Sequence, residues 1–171
     1  SIEAYSSGCR HILNLIPNFR YIRKNVEYLT VFEIEAIRNC IDSEHFSSRE
    51  RAILMLLLYT GMRSCDIAFL KTSDIDWGRE TIHIVQQKTA EPLEIPMLSA
   101  VGNAIFDCIN EEGIMERHGY LFCGKDGEGH ISAKSVRRTA CKAYRMAGIR
   151  QGKGQRKGTH LFRHYTATKL L

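Results

Sequence analysis

The sequence predicts a mainly helical α+β domain that carries one small antiparallel β-sheet. Three observations predict this class. Apolar residues recur at helical spacing in several stretches, residues 82–97 alternate apolar and polar side chains, and 171 residues are enough to bury one hydrophobic core. The hydrophobic fraction of 44% and the charged fraction of 25% are typical of globular chains, which excludes a disordered one.

Residues 1–28 carry the weakest pattern, a short apolar stretch that ends at Pro17 and a basic aromatic stretch over residues 19–24. We interpret them as the tail of a preceding element and a linker. The longest apolar run, residues 52–58, is too short to cross a bilayer, and residues 1–5 lack the basic start of a secretory signal. We therefore expect a cytoplasmic protein without membrane contacts.

Two helices follow, and each begins at a capping box, Thr30 with Glu33 and Ser47 with Glu50. Behind the second box, residues 52–58 are apolar on all sides, which predicts a buried central helix. Gly61 ends that helix, and residues 64–70 predict a further short helical piece.

The small sheet is predicted from two alternating stretches, residues 82–84 and 93–97, joined by residues 86–90 as a hairpin. Pro92 and Pro96 place the second strand at an edge, because proline cannot donate a ladder hydrogen bond. Helical spacing resumes over residues 101–112 and stops at Gly113.

A basic surface is predicted on the next helix, residues 132–147. One side of this helix is apolar, and the other carries five cations: Lys134, Arg137, Arg138, Lys142 and Arg145. Gly148 stops the helix, the flexible basic run 150–158 follows, and a last helix opens near Thr159. The basic run adds three further candidate DNA contacts: Lys153, Arg156 and Lys157.

The charge distribution favours a polyanionic partner, first of all nucleic acid. Residues 125–171 hold twelve Lys or Arg against two acids, a net charge of +10 within the chain's total of +5. The remainder, with twelve basic and seventeen acidic residues, is net −5. A strongly positive third joined to an acidic remainder is typical of nucleic-acid-binding proteins, although a solvated basic surface is the alternative.

The six cysteines show no C-x-x-C pair, so neither a zinc site nor a redox motif is predicted. We expect reduced thiols, several of them in the core. They are Cys9, Cys40, Cys65, Cys108, Cys123 and Cys141.

Three polar clusters interrupt the apolar pattern: residues 60–66 after the central helix, Lys88 with Thr89 in the hairpin, and residues 160–164 near the last residue. Taken singly, each has a structural explanation, such as an ion pair between Arg63 and Asp66 or an exposed hairpin lysine. Their order and combination are more specific than any one of them.

Together the clusters resemble the catalytic domain of the tyrosine recombinases, the phage-integrase family. The segments that carry the resemblance are Leu-Tyr-Thr-Gly-Met-Arg at 58–63, Asp-Ile at 66–67, Asp-Ile-Asp at 74–76, Gln-Lys-Thr at 87–89 and Gly-Thr-His-Leu-Phe-Arg-His-Tyr-Thr-Ala-Thr at 158–168. The resemblance implies a partial integrase catalytic core over residues 29–171. Residues 1–28 would then be a linker or the tail of an upstream DNA-binding domain.

The resemblance also implies a set of site residues: Arg63, Lys88, His160 and Arg163 as catalytic residues, with Asp66 and His164 in support. Guanidinium forks such as those of Arg63 and Arg163 bind two phosphate oxygens at once. Lys88 would donate a proton to the leaving 5′-oxygen. His160 would contact the phosphate, and Asp66 would hold Arg63 in place.

The implied partner is double-stranded DNA, with self-association on DNA in the full-length protein, in a bacterial cytoplasm at the nucleoid. No cofactor and no metal are implied, because the cations stabilise the charge that magnesium stabilises elsewhere.

The family's nucleophilic tyrosine follows the last motif, and none of the seven tyrosines fits that place. Tyr165 lies where the family has a packing residue, and Tyr120 and Tyr144 are predicted to be core. We therefore expect a fragment of a DNA integrase or site-specific recombinase without its C-terminal nucleophile segment, which binds DNA but does not cut it.

Two alternatives stay open at this point. One is a non-catalytic DNA-binding protein that kept the fold, which requires a gene without a downstream tyrosine. The other is a metal-independent nuclease or type IB topoisomerase-like enzyme with the same cations. Relaxation of supercoiled DNA without a partner site would favour the latter.

Overall fold

The fold is mainly helical and carries one small antiparallel sheet, as the sequence predicts. The structure, a computed structural model, describes residues 27–113, 119–124 and 129–169. Its elements are α1 (Val31–Ile41), α2 (Ser48–Thr60), α3 (Ser64–Ala68), β1 (Ile75–Asp76), β2 (Thr81–Val85), β3 (Pro92–Pro96), α4 (Ser99–Glu112), α5 (Ala133–Met146) and α6 (His160–Lys169).

Helix α2 is the centre of the core. It packs against α4, α5 and α6, and residues 52–58 are buried except for the half-buried Met55. The predicted capping box is present, because the Ser47 side chain accepts from the Glu50 amide and the Glu50 carboxylate accepts from the Ser47 amide. Gly61 ends the helix in the left-handed region, with φ of 61°.

The first helix, α1, is also confirmed with its capping box of Thr30 and Glu33. It buries Ile34, Ile37 and Ile41 and packs against α5. Helix α1, at the start of the described domain, is therefore in contact with α5, the helix that carries the predicted basic face.

The sheet has the strand order β1-β2-β3 and is antiparallel throughout. Ile82 of β2 pairs with Ile75 on one side and Ile95 on the other, and all three side chains are buried. The predicted edge position of β3 is confirmed. Strand β1 was not predicted, because two residues are too short to show an alternation.

Element boundaries differ from the predicted ones by a few residues. The short helix α3 ends at Ala68 rather than at residue 70, because the Leu70 amide bonds the carbonyl of Ile67, three residues back, in a turn that ends the α-helical pattern. Helix α4 begins two residues earlier than predicted, at Ser99.

The basic run 150–158, predicted as a flexible loop, is bonded to the rest of the domain at both of its ends. The side chain of Arg150 is only 10% exposed and bonds the carboxylates of Glu27 and Glu33. At the other end of the run, the carbonyl of Gly158 accepts from the Tyr144 hydroxyl at 3.0 Å. Ion pairs and hydrogen bonds therefore hold the two ends of the segment that leads into α6, while residues 151–156 are exposed.

Several predictions lie wholly or partly outside the described residues. They include the linker over residues 1–28, of which only Glu27 and Tyr28 are described, and Cys9. The five described cysteines are free thiols, and of these Cys108 is buried while the others are half-buried. No helix in the described parts of the chain is long and apolar enough to span a membrane.

Candidate active site

Two of the predicted site segments lie directly against each other. Arg63 stands between α2 and α3, in the turn that the left-handed Gly61 makes possible. From α6, the Arg163 guanidinium donates to the Gly61 carbonyl at 2.9 Å, and the Thr159 hydroxyl lies 3.3 Å from the Ser64 hydroxyl. The first arginine segment and the H-x-x-R-H segment therefore share one surface.

Close packing at Gly61 holds these segments in register. A Cβ at this position would lie 3.2 Å from Cβ of Thr166, and the Thr166 hydroxyl donates to the Leu58 carbonyl at 3.3 Å. Only glycine combines this close approach with the positive φ.

Arg63 has two partners, and the nearer one was not predicted. Its Nη1 lies 2.5 Å from Oε1 of Gln86 and 3.9 Å from Oδ2 of Asp66. The Asp66 side chain is 2% exposed, and its Oδ1 accepts from the Gln87 amide at 2.9 Å. Asp66 thus holds both Arg63 and the start of the hairpin tip, whereas Gln86 contacts Arg63 directly.

Lys88 lies at this hairpin tip and is exposed. The tip is closed by backbone bonds from the Gln86 amide to Glu91 and from the Ala90 amide to Gln86, with Ala90 at a φ of 56°. Since Gln86 touches Arg63, the hairpin brings Lys88 to the neighbourhood of the arginine while its own side chain projects freely.

His160 is the first residue of α6, and its environment requires a glycine. A Cβ on Gly158 would lie 2.2 Å from Nδ1 of His160. Partial burial of the ring lowers the pKa of His160 below its ordinary 6.5, and the charges of His164, Arg156 and, more weakly, Arg137 lower the pKa further. His160 is therefore mainly neutral at pH 7, in a surface of positive potential.

The basic face of α5 is exposed at four of its five predicted positions: Lys134, Arg137, Arg138 and Arg145. Lys142 departs from the prediction. Its Nζ pairs with the Glu50 carboxylate at 2.5 Å and lies 5.0 Å from the centre of the Phe46 ring. The reason is that α5 packs against the N-terminal turn of α2, so this cation is neutralised within the protein.

The three candidate DNA contacts of the basic run also differ in their exposure to solvent. Lys153 and Arg156 are exposed, and Arg156 Nε lies 3.9 Å from the Glu27 carboxylate. Lys157 is half-buried, and its carbonyl accepts from the Cys141 thiol at 3.3 Å.

A cleft of about 720 Å³ lies between α5 and the N-terminal turn of α2. Arg49, His130, Arg138 and Arg145 line it, and none of the four predicted catalytic residues does. The cleft extends the basic surface and is distinct from the site around Arg63.

Two of the described tyrosines are buried, which makes their hydroxyls poorly suited to nucleophilic attack. Tyr144 is fully buried, as predicted, and this burial raises the pKa of its hydroxyl. Tyr165 is 7% exposed. The prediction of Tyr120 as core is wrong in degree, because Tyr120 is half-buried and stacks edge-on against Phe69. Tyr59 lies beneath the Arg38 guanidinium.

No cluster of three metal-ligating side chains occurs in the parts of the chain that the structure describes. The groups around Arg63 are amides, hydroxyls and one carboxylate, that of the buried Asp66, which already pairs with Arg63 and accepts from the Gln87 amide. Such a set binds anions rather than metal ions.

Comparison with known proteins places this chain in a family. The sequence model of the phage integrase family matches residues 27–171, so the chain belongs to the phage integrase family of tyrosine recombinases. A curated relative, the putative integrase/recombinase y4gC of Sinorhizobium fredii, is 34% identical over 134 residues, which cover 72% of this chain and 62% of that protein.

Solved structures share the fold. The XerA recombinase matches 85% of this chain and 50% of its own, with a TM-score of 0.69 and 23% identity. The XerH site-specific recombinase bound to its difH substrate matches 85% of this chain and 43% of its own, with a TM-score of 0.71 and 23% identity. The chain thus spans less than two thirds of each of these proteins.

Proposed function

We propose that this chain supplies the phosphate-binding part of a DNA strand-exchange site, in a DNA integrase or site-specific recombinase that acts on double-stranded DNA. The observation that carries the proposal is the contact between the Arg63 turn and the Arg163 helix, in which the Arg163 guanidinium bonds the carbonyl of Gly61, two residues before Arg63. The XerH complex with its difH substrate supports DNA as the partner.

In the proposed reaction, a tyrosine hydroxyl attacks a backbone phosphorus and the bond to the 5′-oxygen breaks. Arg63 and Arg163 stabilise the negative charge on the non-bridging oxygens. Lys88 gives a proton to the departing 5′-oxygen, and the neutral His160 contacts the phosphate and accepts the proton that the tyrosine hydroxyl loses on attack. The 3′-phosphotyrosyl link is then attacked by a 5′-hydroxyl of another strand, which rejoins the DNA.

We place the nucleophile outside this chain. Tyr144 and Tyr165 are buried, and Tyr165 packs inside α6 on the same helix as Arg163. Covalent catalysis requires a hydroxyl that reaches the phosphorus bound by the arginines. Self-association of the full protein on DNA and a location at the bacterial nucleoid stay predictions.

A nicked suicide duplex tests this function, with covalent adducts read on a denaturing gel. We expect no adduct with residues 1–171, and a 3′-phosphotyrosyl adduct with a version of the protein that continues through a downstream tyrosine. In that version, R63A should reduce the adduct about 10³-fold by analogy with other phosphate-binding arginines, while R79A should not, because Arg79 is 77% exposed in the turn that follows β1.

Two outcomes would contradict the proposal. An adduct with residues 1–171 that Y165F abolishes would show that Tyr165 is the nucleophile. A continuing version that binds DNA without any adduct would favour the non-catalytic DNA-binding alternative.

A further inference from the structure

We propose that Gln86 is a positioning residue that latches the lysine hairpin onto Arg63, and that a DNA phosphate displaces it. The inference rests on the proposed function, because the displacing group is a phosphate of the bound DNA. In the absence of DNA, the Gln86 carboxamide oxygen occupies a donor of Arg63 that would otherwise bind a phosphate oxygen.

The latch consists of two successive residues, Gln86 and Gln87, which are bonded to Arg63 and Asp66 respectively. Oε1 of Gln86 accepts from Arg63 Nη1 at 2.5 Å and from the Thr89 hydroxyl at 2.9 Å. The next residue, Gln87, donates its amide to Oδ1 of Asp66 at 2.9 Å. The same arginine and carboxylate therefore hold the backbone immediately before Lys88.

The second bond to Gln86 fixes the other side of Lys88. Thr89 follows the lysine, and its hydroxyl shares the Gln86 oxygen with Arg63. Lys88 therefore lies between two residues that hydrogen bonds hold in place, Gln87 and Thr89. If the bond between Arg63 and Gln86 breaks, the Gln86 oxygen moves away from the Thr89 hydroxyl as well.

The chemistry of the amide makes the latch reversible. A neutral carboxamide oxygen is a weaker partner for a guanidinium than a phosphate oxygen, because the phosphate adds the attraction of a full negative charge and can accept two parallel N–H···O bonds. A phosphate can therefore take Nη1 from Gln86, whereas a carboxylate at position 86 would compete with it. Binding of the phosphate would free the hairpin that carries Lys88.

Amide hydrogen exchange tests the latch without DNA. Q86A should raise the exchange rate of the amides of Gln87 and Ala90 about tenfold or more, since the bond to a charged group holds the tip closed. The control Q87A removes an exposed side chain of the same tip and should leave the Ala90 amide within about twofold of the unmodified chain. Equal Ala90 exchange in Q86A and the unmodified chain would overturn the latch.

Exchange with a 30-base-pair duplex present tests the displacement. The duplex should raise exchange at Gln87 and Ala90 in the unmodified chain and leave it unchanged in Q86A, where the latch is already open. A merely structural role for Gln86 predicts no such dependence on DNA. Exchange that falls on binding, or stays constant, in the unmodified chain would overturn the proposal.

A charge variant tests the competition for Arg63. Q86E should weaken binding of the same duplex at least tenfold, while Q87E, with the same charge change one residue away, should weaken it by less than about threefold. Equal losses of duplex affinity in Q86E and Q87E would show that residue 86 does not compete with the phosphate for Arg63. If the unmodified chain does not bind the duplex at all, the proposed function fails, and the exchange of Q86A without DNA still decides whether the latch exists.

Discussion

At the scale of single residues, two glycines make room for the candidate site. Gly61 turns the chain toward Arg63 and lies against Thr166, and Gly158 leaves space for the His160 ring. The contact at Gly61 does not follow from its neighbours in sequence, because it depends on Thr166 of α6, whereas Gly158 makes room for a residue only two positions further on.

We predict that G61A lowers the free energy of unfolding by about 2 kcal/mol, because it adds a contact with Thr166 to the strain of a positive φ. The matched control is G113A, since Gly113 has a φ of 62° and nothing within 4 Å of an added Cβ. G113A should cost about 1 kcal/mol. Equal costs in chemical denaturation would show that the packing against Thr166 is unimportant.

We predict that His160 titrates below its ordinary pKa of 6.5. Since the unfolded state then binds the proton more readily than the folded state, His160 makes the protein less stable as the pH falls through 6.5 and below. Titration by NMR checks the pKa directly. R156Q should raise it, because the Arg156 charge lowers it, whereas K153Q should change it less.

At the scale of elements, helix α5 combines a buried face with a basic one. Its basic face is incomplete as a DNA surface, because Lys142 pairs with Glu50 of α2. Helical periodicity predicts which side chains share a face, but not that a residue 92 positions earlier supplies a carboxylate. Strand β1 was not predicted for a different reason, because two residues are too short to show an alternation, while the capped helices were predicted.

We predict that the basic face contributes to DNA binding through counterion release. The triple variant of Arg137, Arg138 and Arg145 to alanine should flatten the slope of log K against log salt concentration by roughly two to three. K142A is the control and should change the slope by less than about one half, because this charge is already paired. Fluorescence anisotropy with a labelled duplex at several salt concentrations measures both slopes. An unchanged slope in the triple variant would show that the basic face is only solvated and makes no phosphate contacts.

At the scale of the whole molecule, Arg150 joins the two ends of the described domain. Its guanidinium bonds Glu27 and Glu33 near α1, and it stands in the segment that leads to His160 in α6. The sequence indicated the cations of this segment but predicted a flexible loop, because the carboxylates lie more than a hundred residues away.

We predict that R150A lowers the free energy of unfolding by about 2 kcal/mol, because it leaves a half-buried carboxylate of Glu33 without its cation. R156A is the control, since Arg156 is exposed and 3.9 Å from Glu27, and it should cost less than about 1 kcal/mol. Urea denaturation gives both values. A loss in R150A no larger than that in R156A would mean that the ion pairs do not hold the segment.

The sequence motifs of the candidate site were predictable, but the hydrogen bonds that join them were not. Arg63, Asp66 and Arg163 stand in recognisable sequence segments, and the structure brings these segments together. Gln86 carries no such signal, since a glutamine in a hairpin tip is ordinary, and only the folded chain shows its contact with Arg63.

The proposed function requires that Arg63 and Arg163 bind one and the same DNA phosphate. A double-mutant cycle of R63A and R163A, with duplex affinity measured across salt concentrations and R79A as the exposed control, tests this requirement. We expect the losses of duplex binding free energy in R63A and R163A to be coupled by at least about 0.5 kcal/mol. The double variant should lower the slope of log K against log salt concentration by about one, since one phosphate is involved. Additive losses with a slope change of about two, or losses no larger than that of R79A, would contradict the claim.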